Sequence, residues 1–376
     1  ISLLSFTIAL VKRLPHHPKK RILLNTLGII ILLLGIGANL SYLWQFRHND
    51  TLRNRYIEKY QAYNSHDKVN LLSEELIYSQ KGNQIFVDAH LTVQNRNHRK
   101  INSVLIYLNP TLQVTEVSHE GTKLPFKRDE QILVIDKELT PYQIVDLQIR
   151  YEGKVSENIG YLEVQDEEYY DTQTGSSILR FGKRYAFVQN DFTLLTPEVL
   201  WYPVTFPPMN PEAPYNIQKN FTHFSLKVIP TEKQTVLSQG TSSQSGDTII
   251  FHNTHRLPSI SLAIGNYEKK SITVDSVLFE LYHFKGHDYF SKEFTNLKDT
   301  LGSIISDIKN QYESRKNRVY PFEKLILAET PVSFASYVRN WKGYSEFIQP
   351  EIAFIPERGT TLPSGNFKLA KKMQRQ

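Results

Sequence analysis

The sequence predicts a membrane-spanning helix, then a large antiparallel β domain, then a shorter α+β region. Three observations carry this reading. The stretch Ile22 to Trp44 runs for 23 residues without a charge, a long middle section repeats its apolar residues at every second position, and three-to-four spacing returns after Ser291. With 376 residues, 40% of them hydrophobic and 22% charged, the chain can form more than one packed core and is too apolar to be disordered.

The chain opens on Ile1 and an apolar run to Val11, which reads as the end of a preceding span (residues 1–11) in a longer protein, the present chain being a fragment of it. Residues 12–21 form a basic loop with Lys12, Arg13, Lys19, Lys20 and Arg21; basic residues after an apolar run are the reverse of a secretory signal and suit the cytoplasmic side of a membrane. Residues 22–45 form the span. At about 1.5 Å per residue, a 23-residue helix measures roughly 34 Å, enough for a hydrocarbon core of about 30 Å. Tyr42 and Trp44 sit where an interfacial aromatic belt belongs. Arg47, Arg53, Arg55 and Lys59 follow, so the positive-charge bias, five residues against four, places the main domain outside the cytoplasm.

Residues 46–66 are polar, with Leu52, Tyr56 and Tyr60 at helical spacing, and read as a stalk. The net charge of +6 is concentrated here: residues 1–60 hold 9 basic and 2 acidic side chains, leaving 35 basic and 36 acidic for the rest. A nucleic-acid-binding main body is therefore excluded, since such proteins carry positive charge on the domain that makes the contacts. With no cysteine, disulfides, thiolate metal sites and cysteine nucleophiles are excluded too.

From residue 67 to 270 the period is two. Ile85, Val87, Ala89, Leu91 and Val93 alternate with polar neighbours, as do Val145, Leu147, Ile149 and Tyr151, and Thr222, Phe224, Leu226 and Val228. Shorter runs lie at 104–108, 132–135, 248–251 and 260–264, and Lys81-Gly82-Asn83, Asn109-Pro110 and Ser245-Gly246-Asp247 supply turns. Residues 271–376 form the α+β region. Its helix carries Phe294, Leu297, Leu301, Ile304, Ile305, Ile308 and Tyr312 on one face, with Ser291 as its cap and Arg315, Lys316 and Arg318 near its negative end.

Local motifs for chemistry are weak. His283 and His287 have the i, i+4 spacing of a zinc helix, but Phe284 stands where such a helix has glutamate and the pattern is that of a strand entering a Lys-Gly turn, so both read as surface histidines. Glu163, Asp166, Glu167, Glu168 and Asp171 read as a solvated hairpin tip, and Trp201-Tyr202-Pro203 with Pro207, Pro208, Pro211 and Pro214 as a rigid packed loop. Asn220-Phe221-Thr222 matches a glycosylation acceptor, but its threonine opens a core-facing strand.

The order of segments carries more. Leu257-Pro258-Ser259-Ile260-Ser261-Leu262-Ala263-Ile264-Gly265-Asn266-Tyr267 closes the β domain. A strand, a long helix, Tyr320-Pro321-Phe322-Glu323-Lys324-Leu325, and Gly343-Tyr344-Ser345-Glu346-Phe347 leading into 352–357 come next. This resembles the saddle domain and the opening of the thermolysin-like catalytic domain of the membrane alanyl aminopeptidases, the zinc gluzincins, in the form fused to a bacterial ABC-type transporter permease. The resemblance covers roughly residues 70–376. It implies a saddle-like β sandwich and a membrane-anchored, aminopeptidase-like hydrolase of the bacterial inner membrane. In the family a Gly-x-Met-Glu-Asn strand binds peptide, its glutamate pairing with the free α-amino group; this carries over to Gly343 and Glu346, while Ser345 and Phe347 replace the methionine and asparagine. The resemblance implies as partners the lipid bilayer, peptides with a free N-terminus and an ABC ATPase subunit. The family's zinc is held by His-Glu-x-x-His and a later glutamate; the 376 residues contain no such pattern, so zinc is expected only from sequence beyond Gln376, and the fragment alone is expected to be inactive. The alternative is a non-catalytic extracytoplasmic binding or scaffold domain of an ABC transporter permease.

Overall fold

The computed structural model describes residues 18–164, 184–211, 218–230, 233–288, 301–334 and 348–357. Its first element is a single helix, α1 (Pro18–Asn64), with no break between the apolar stretch and the residues read as a stalk. Nothing in the sequence calls for one, since no proline or helix-ending glycine lies between Trp44 and Asn64. The chain divides into two compact units, one ending at Arg55 and one beginning at Tyr56.

In the first unit the helix is apolar around its circumference: Ile22, Leu33, Leu34 and Trp44 are each more than 60% exposed. A soluble helix buries such residues on one stripe. By length and composition this helix can cross a membrane.

The second unit opens with the end of α1, where Tyr56 and Tyr60 are buried, the Tyr56 carbonyl accepts from Gln131 Nε2 at 2.7 Å and Lys59 pairs with Asp129 at 2.9 Å. An eight-stranded sheet follows. Its strands, in chain order, are β1 (Asn70–Lys81), β2 (Gln84–Gln94), β4 (Leu112–His119), β5 (Thr122–Lys123), β8 (Ile144–Gly153), β11 (His223–Ile229), β13 (Thr241–Ser245) and β14 (Thr248–His252). They lie in the order β13-β14-β11-β1-β2-β8-β4-β5. Gly82 and Gly246, at φ of 63° and 60°, make the two tight turns expected from the sequence. The pairing is antiparallel except between β1 and β11, which run parallel: β11 returns to the sheet only after the chain has formed a three-stranded layer and the first two strands of another.

One of those layers is the three-stranded sheet of β3 (Val104–Tyr107), β6 (Phe126–Asp129) and β7 (Ile132–Ile135). The other, completed later in the chain, combines β9 (Ala186–Val188), β10 (Phe192–Leu195), β12 (Thr235–Leu237) and β15 (Leu262–Gly265).

The α+β region is a five-stranded sheet of β16 (Tyr267–Val274), β17 (Val277–Phe284), β18 (Lys324–Thr330), β19 (Ile348–Gln349) and β20 (Ile352–Pro356), in the order β16-β17-β18-β20-β19. Residue 270 thus falls inside β16, which belongs wholly to this sheet. β17, β18 and β20 run parallel, and helix α2 (Leu301–Lys316) lies in the crossover from β17 to β18, as parallel pairing requires. Residues 291–300, including the expected cap Ser291, lie outside the described residues. The four-stranded and five-stranded sheets share one core, in which Phe187, Leu194 and Ala263 meet Tyr282, Ile326 and Phe354. That common core fixes the two regions against each other and sets the shape of the cleft between them.

Candidate functional site

The cleft of about 330 Å³ between the β domain and the five-stranded sheet is walled on the β side by the Pro197–Tyr202 corner, by Phe206, Pro207 and Pro208, and by Asn220–Thr222. The opposite wall is Phe322 with Ile348, Gln349 and Pro350. Its β-side corner is built by sequence. Pro197 starts a single 3-10 turn (Pro197–Val199), and Leu200 at φ 52° reverses the chain so that Trp201 and Tyr202 point back into the core, 0% and 1% exposed. Asn109 holds the corner from behind: its Nδ2 donates to Val199 O at 2.6 Å and Ser156 O at 2.8 Å.

Tyr202 Oη accepts the Ile260 N–H at 3.2 Å and its ring packs edge-on against Trp201 and Phe224. Burial, and behind it the charges of Glu74 and Glu198, push its phenol well above the ordinary tyrosine range, so it is a neutral hydrogen-bonding group at any working pH. Glu198, 1% exposed, shares this corner. Thr222 is buried, its hydroxyl donating to Leu71 O at 3.0 Å, and Asn220 Nδ2 donates to Thr205 Oγ1. Both polar residues of the glycosylation match are thus engaged in the fold.

A second contact locks the walls. Glu351, at φ 58° in the turn between β19 and β20, accepts the Gly240 N–H at 2.5 Å, and Lys324 Nζ donates to Ser238 O at 3.3 Å. Burial lowers the Lys324 ammonium, and the nearby Glu351 and Glu280 carboxylates oppose that shift.

β19 is the last strand of its sheet, and Ile348 on it is 46% exposed. A sheet edge is where an extended ligand can add as a further strand. Ile348 directly follows the stretch 343–347. Gly343 and Glu346, the two binding residues expected from the sequence, lie outside the described residues, as do Asp166, Glu167, Glu168 and Asp171 of the acidic stretch.

A second polar cluster stands at the carboxyl ends of the parallel strands. Glu329, 2% exposed, accepts the Phe284 N–H at 2.6 Å and meets His287 Nδ1 at 3.0 Å, while Glu357 Oε2 lies 4.0 Å from the same nitrogen. His287 N donates to Phe284 O at 2.9 Å across the turn at Gly286, so His283 and His287 do not share a helix face. His283 is 1% exposed and within 4.0 Å of Glu268; it is a core residue and not the surface histidine expected from the sequence, because the strand β17 turns it inward. Among the described residues no three His, Cys, Asp or Glu side chains are arranged to hold a metal, and Glu329 is already committed to a backbone N–H and an imidazole. The described residues therefore do not fit a zinc ion.

Neither Glu198 nor the Glu329–His287 pair is marked by any pattern in the sequence. Isolated glutamates carry no spacing signal: the 3-10 turn brings Glu198 to the cleft, and the pairing of β17 with β18 brings Glu329 to the turn that carries His287.

No protein-family model matches the sequence, and no curated protein does. The fold does match solved structures. An M1 zinc metallopeptidase from Deinococcus radiodurans aligns with 81% of this chain and 62% of its own length at a TM-score of 0.50 and 12% identity. A two-domain M1 zinc metallopeptidase mutant bound to L-arginine aligns with 80% and 63% at 0.50 and 13% identity. Aminopeptidase A from Legionella pneumophila in complex with aspartic acid aligns with 77% and 31% at 0.52 and 10% identity. The chain spans less than two thirds of the length of each. At these identities the likeness is one of fold alone, that of an aminopeptidase-like structure.

Proposed function

We propose that this chain is the membrane-anchored, aminopeptidase-like part of a bacterial inner-membrane protein, fused to transporter permease spans, and that its cleft binds peptides by their free N-terminus. The observation that supports this reading best is the fold likeness to M1 zinc metallopeptidases together with an edge strand, β19, that enters the cleft directly after Gly343 and Glu346. Helix α1 is the anchor, with the main domain outside the cytoplasm. In this reading an extended peptide adds to the β19 edge, and Glu346 pairs with its ammonium group while the apolar walls exclude water and strengthen the pair.

The 376 residues contain no His-Glu-x-x-His, and no hydrolytic step is assigned to them. Peptide capture is the chemistry these residues supply, and hydrolysis belongs to the whole protein if that protein carries the zinc motif. Ser345 and Phe347 favour the second reading, a binding or scaffold domain without catalysis, and both readings share the capture step.

The test is fluorescence anisotropy of the detergent-solubilised chain with a labelled tetrapeptide and its N-acetylated form. The free-amine peptide is expected to bind at least tenfold more tightly, and Glu346→Gln to remove that preference, about 1.5–3 kcal/mol for a hydrogen-bonded charged partner. Equal affinity for both peptides in the unaltered chain would sink the N-terminal reading. Aminopeptidase activity and zinc content of a chain extended past Gln376 separate the enzyme from the scaffold, and co-purification of an ATPase subunit tests the transporter fusion.

A further inference from the structure

On the other side of the Phe206–Pro207 wall lies a second cavity, of about 430 Å³, that the peptide reading does not use. Its base is Lys68, which follows the end of α1. The Lys68 ammonium lies 5.9 Å from the centre of the Tyr107 ring and 5.5 Å from that of Phe206. Tyr107 is fully buried. Among the described residues the ammonium has no carboxylate and no hydrogen-bond acceptor: the Lys68 contact to Asn97 uses its backbone carbonyl, and the adjacent Asp67 is taken by Arg99 at 2.8 Å. Ring contacts near 6 Å are the outer limit of a cation–π interaction and offset only part of the cost of taking an ammonium out of water. Burial accordingly lowers the Lys68 ammonium from its ordinary value.

The rest of the lining is mostly hydrogen-bond donors, and its one carboxylate among the described residues, Asp67, is held by Arg99. Arg96 and His66 also line the cavity, and among the described residues Arg96 donates its Nε to Gln94 at 3.3 Å. Asn70 and Gln218 bring side-chain amides with no hydrogen bond to a described residue. Phe206, Pro207 and Met209 form an apolar wall beside these donors. A partly desolvated cation open to a cavity and ringed by donors, with the one carboxylate of the described lining spent on Arg99, is stabilised by an anion that enters the cavity.

We propose that this cavity binds a small oxyanion ligand, a carboxylate- or phosphate-bearing molecule whose charged end sits on Lys68 and whose body lies against Phe206, Pro207 and Met209. The shared chemistry is the oxyanion, and the choice of probe separates the two sources. Calorimetric titration of the detergent-solubilised full chain would use N-acetyl-phenylalanine, its amide, and inorganic phosphate. The acid is expected to bind at least tenfold more tightly than the amide. Phosphate competing with the acid marks a site for any oxyanion, and failure to compete marks one that needs the carboxylate with its apolar body. Lys68→Met is expected to abolish the preference for the acid while unfolding at the same or a higher temperature, because it removes a poorly solvated charge. Arg96→Gln, an exposed change that leaves the core intact, is expected to weaken acid binding several-fold. Equal binding of acid and amide, no binding of any probe, or an unchanged preference in Lys68→Met would each overturn the site. None of these outcomes depends on Glu346, so the peptide reading can fail while this site stands, and the reverse.

Discussion

Replacing Glu74 by leucine is expected to stabilise the β domain by about 2–3 kcal/mol at pH 7, within the roughly 1–4 kcal/mol gained when buried ionic groups give way to apolar ones of similar size. Glu74 is 1% exposed on β1, on the inward face that also holds Leu76 and Tyr78, and it lies opposite Leu91 of β2 and Phe224 of β11. Neither carboxyl oxygen has a hydrogen-bond partner among the described residues. Desolvation raises its pKa well above the ordinary glutamate value, so the folded protein holds this proton where the unfolded chain gives it up. With the folded pKa above the unfolded one, stability falls as pH rises from about 4.5 towards the folded pKa, by up to about 1.4 kcal/mol per unit. The stabilisation from Glu74→Leu should therefore grow between pH 5 and 8. Glu74→Gln, which does not titrate, should lose this part of the pH dependence without matching the gain from leucine. Thermal unfolding followed by tryptophan fluorescence at several pH values checks both, and a leucine variant no more stable than the parent at pH 8 would contradict the account. The carboxyl sits behind Tyr202, near enough that its charge would raise that phenol, so a destabilising group has been kept directly behind the cleft wall.

The same residue shows where the sequence could be read and where it could not. β2, β8 and β11 were legible because each buries one face and wets the other, which writes a period of two into the sequence. β1 lies between β2 and β11 and hides its period twice: Glu74 puts a charge at an inward position, and a bulge between Leu71 and Ser73 shifts the phase. β10 is buried at all four residues and has no alternation to find. Single residues at the site were still harder. Glu198 reaches the cleft through a 3-10 corner and Glu351 reaches Gly240 from a left-handed turn, and neither geometry leaves a repeating mark in the residue types. Gly343 and Glu346 came from a motif in its order and not from any local period. The crossing helix, by contrast, needed only length and the absence of charge.

Gly240→Ala is expected to cost about 3–4 kcal/mol, at the upper end for a single substitution, because two named penalties coincide. Gly240 sits at φ +84°, where an L side chain is strained by about 1–2 kcal/mol. A Cβ there would also stand 2.5 Å from the carbonyl oxygen of His252 and 2.8 Å from Asn253 Oδ1, and the first of these is backbone that cannot swing aside. The residue lies between β12, in the four-stranded sheet, and β13, in the eight-stranded one, so a shift at this corner is felt by both sheets. It would also move the N–H that holds Glu351 and, through it, the turn that carries β19 into the cleft. Glu351→Gln tests that last link alone. It keeps the shape but weakens a charge-assisted bond, at an expected cost of about 1 kcal/mol. Since both changes act on one contact, the double variant should lose less than the sum of the two. Unfolding measurements on the four proteins decide this. Strict additivity would mean that Gly240 acts through backbone strain alone and that the Glu351 bond does not hold the cleft wall in place.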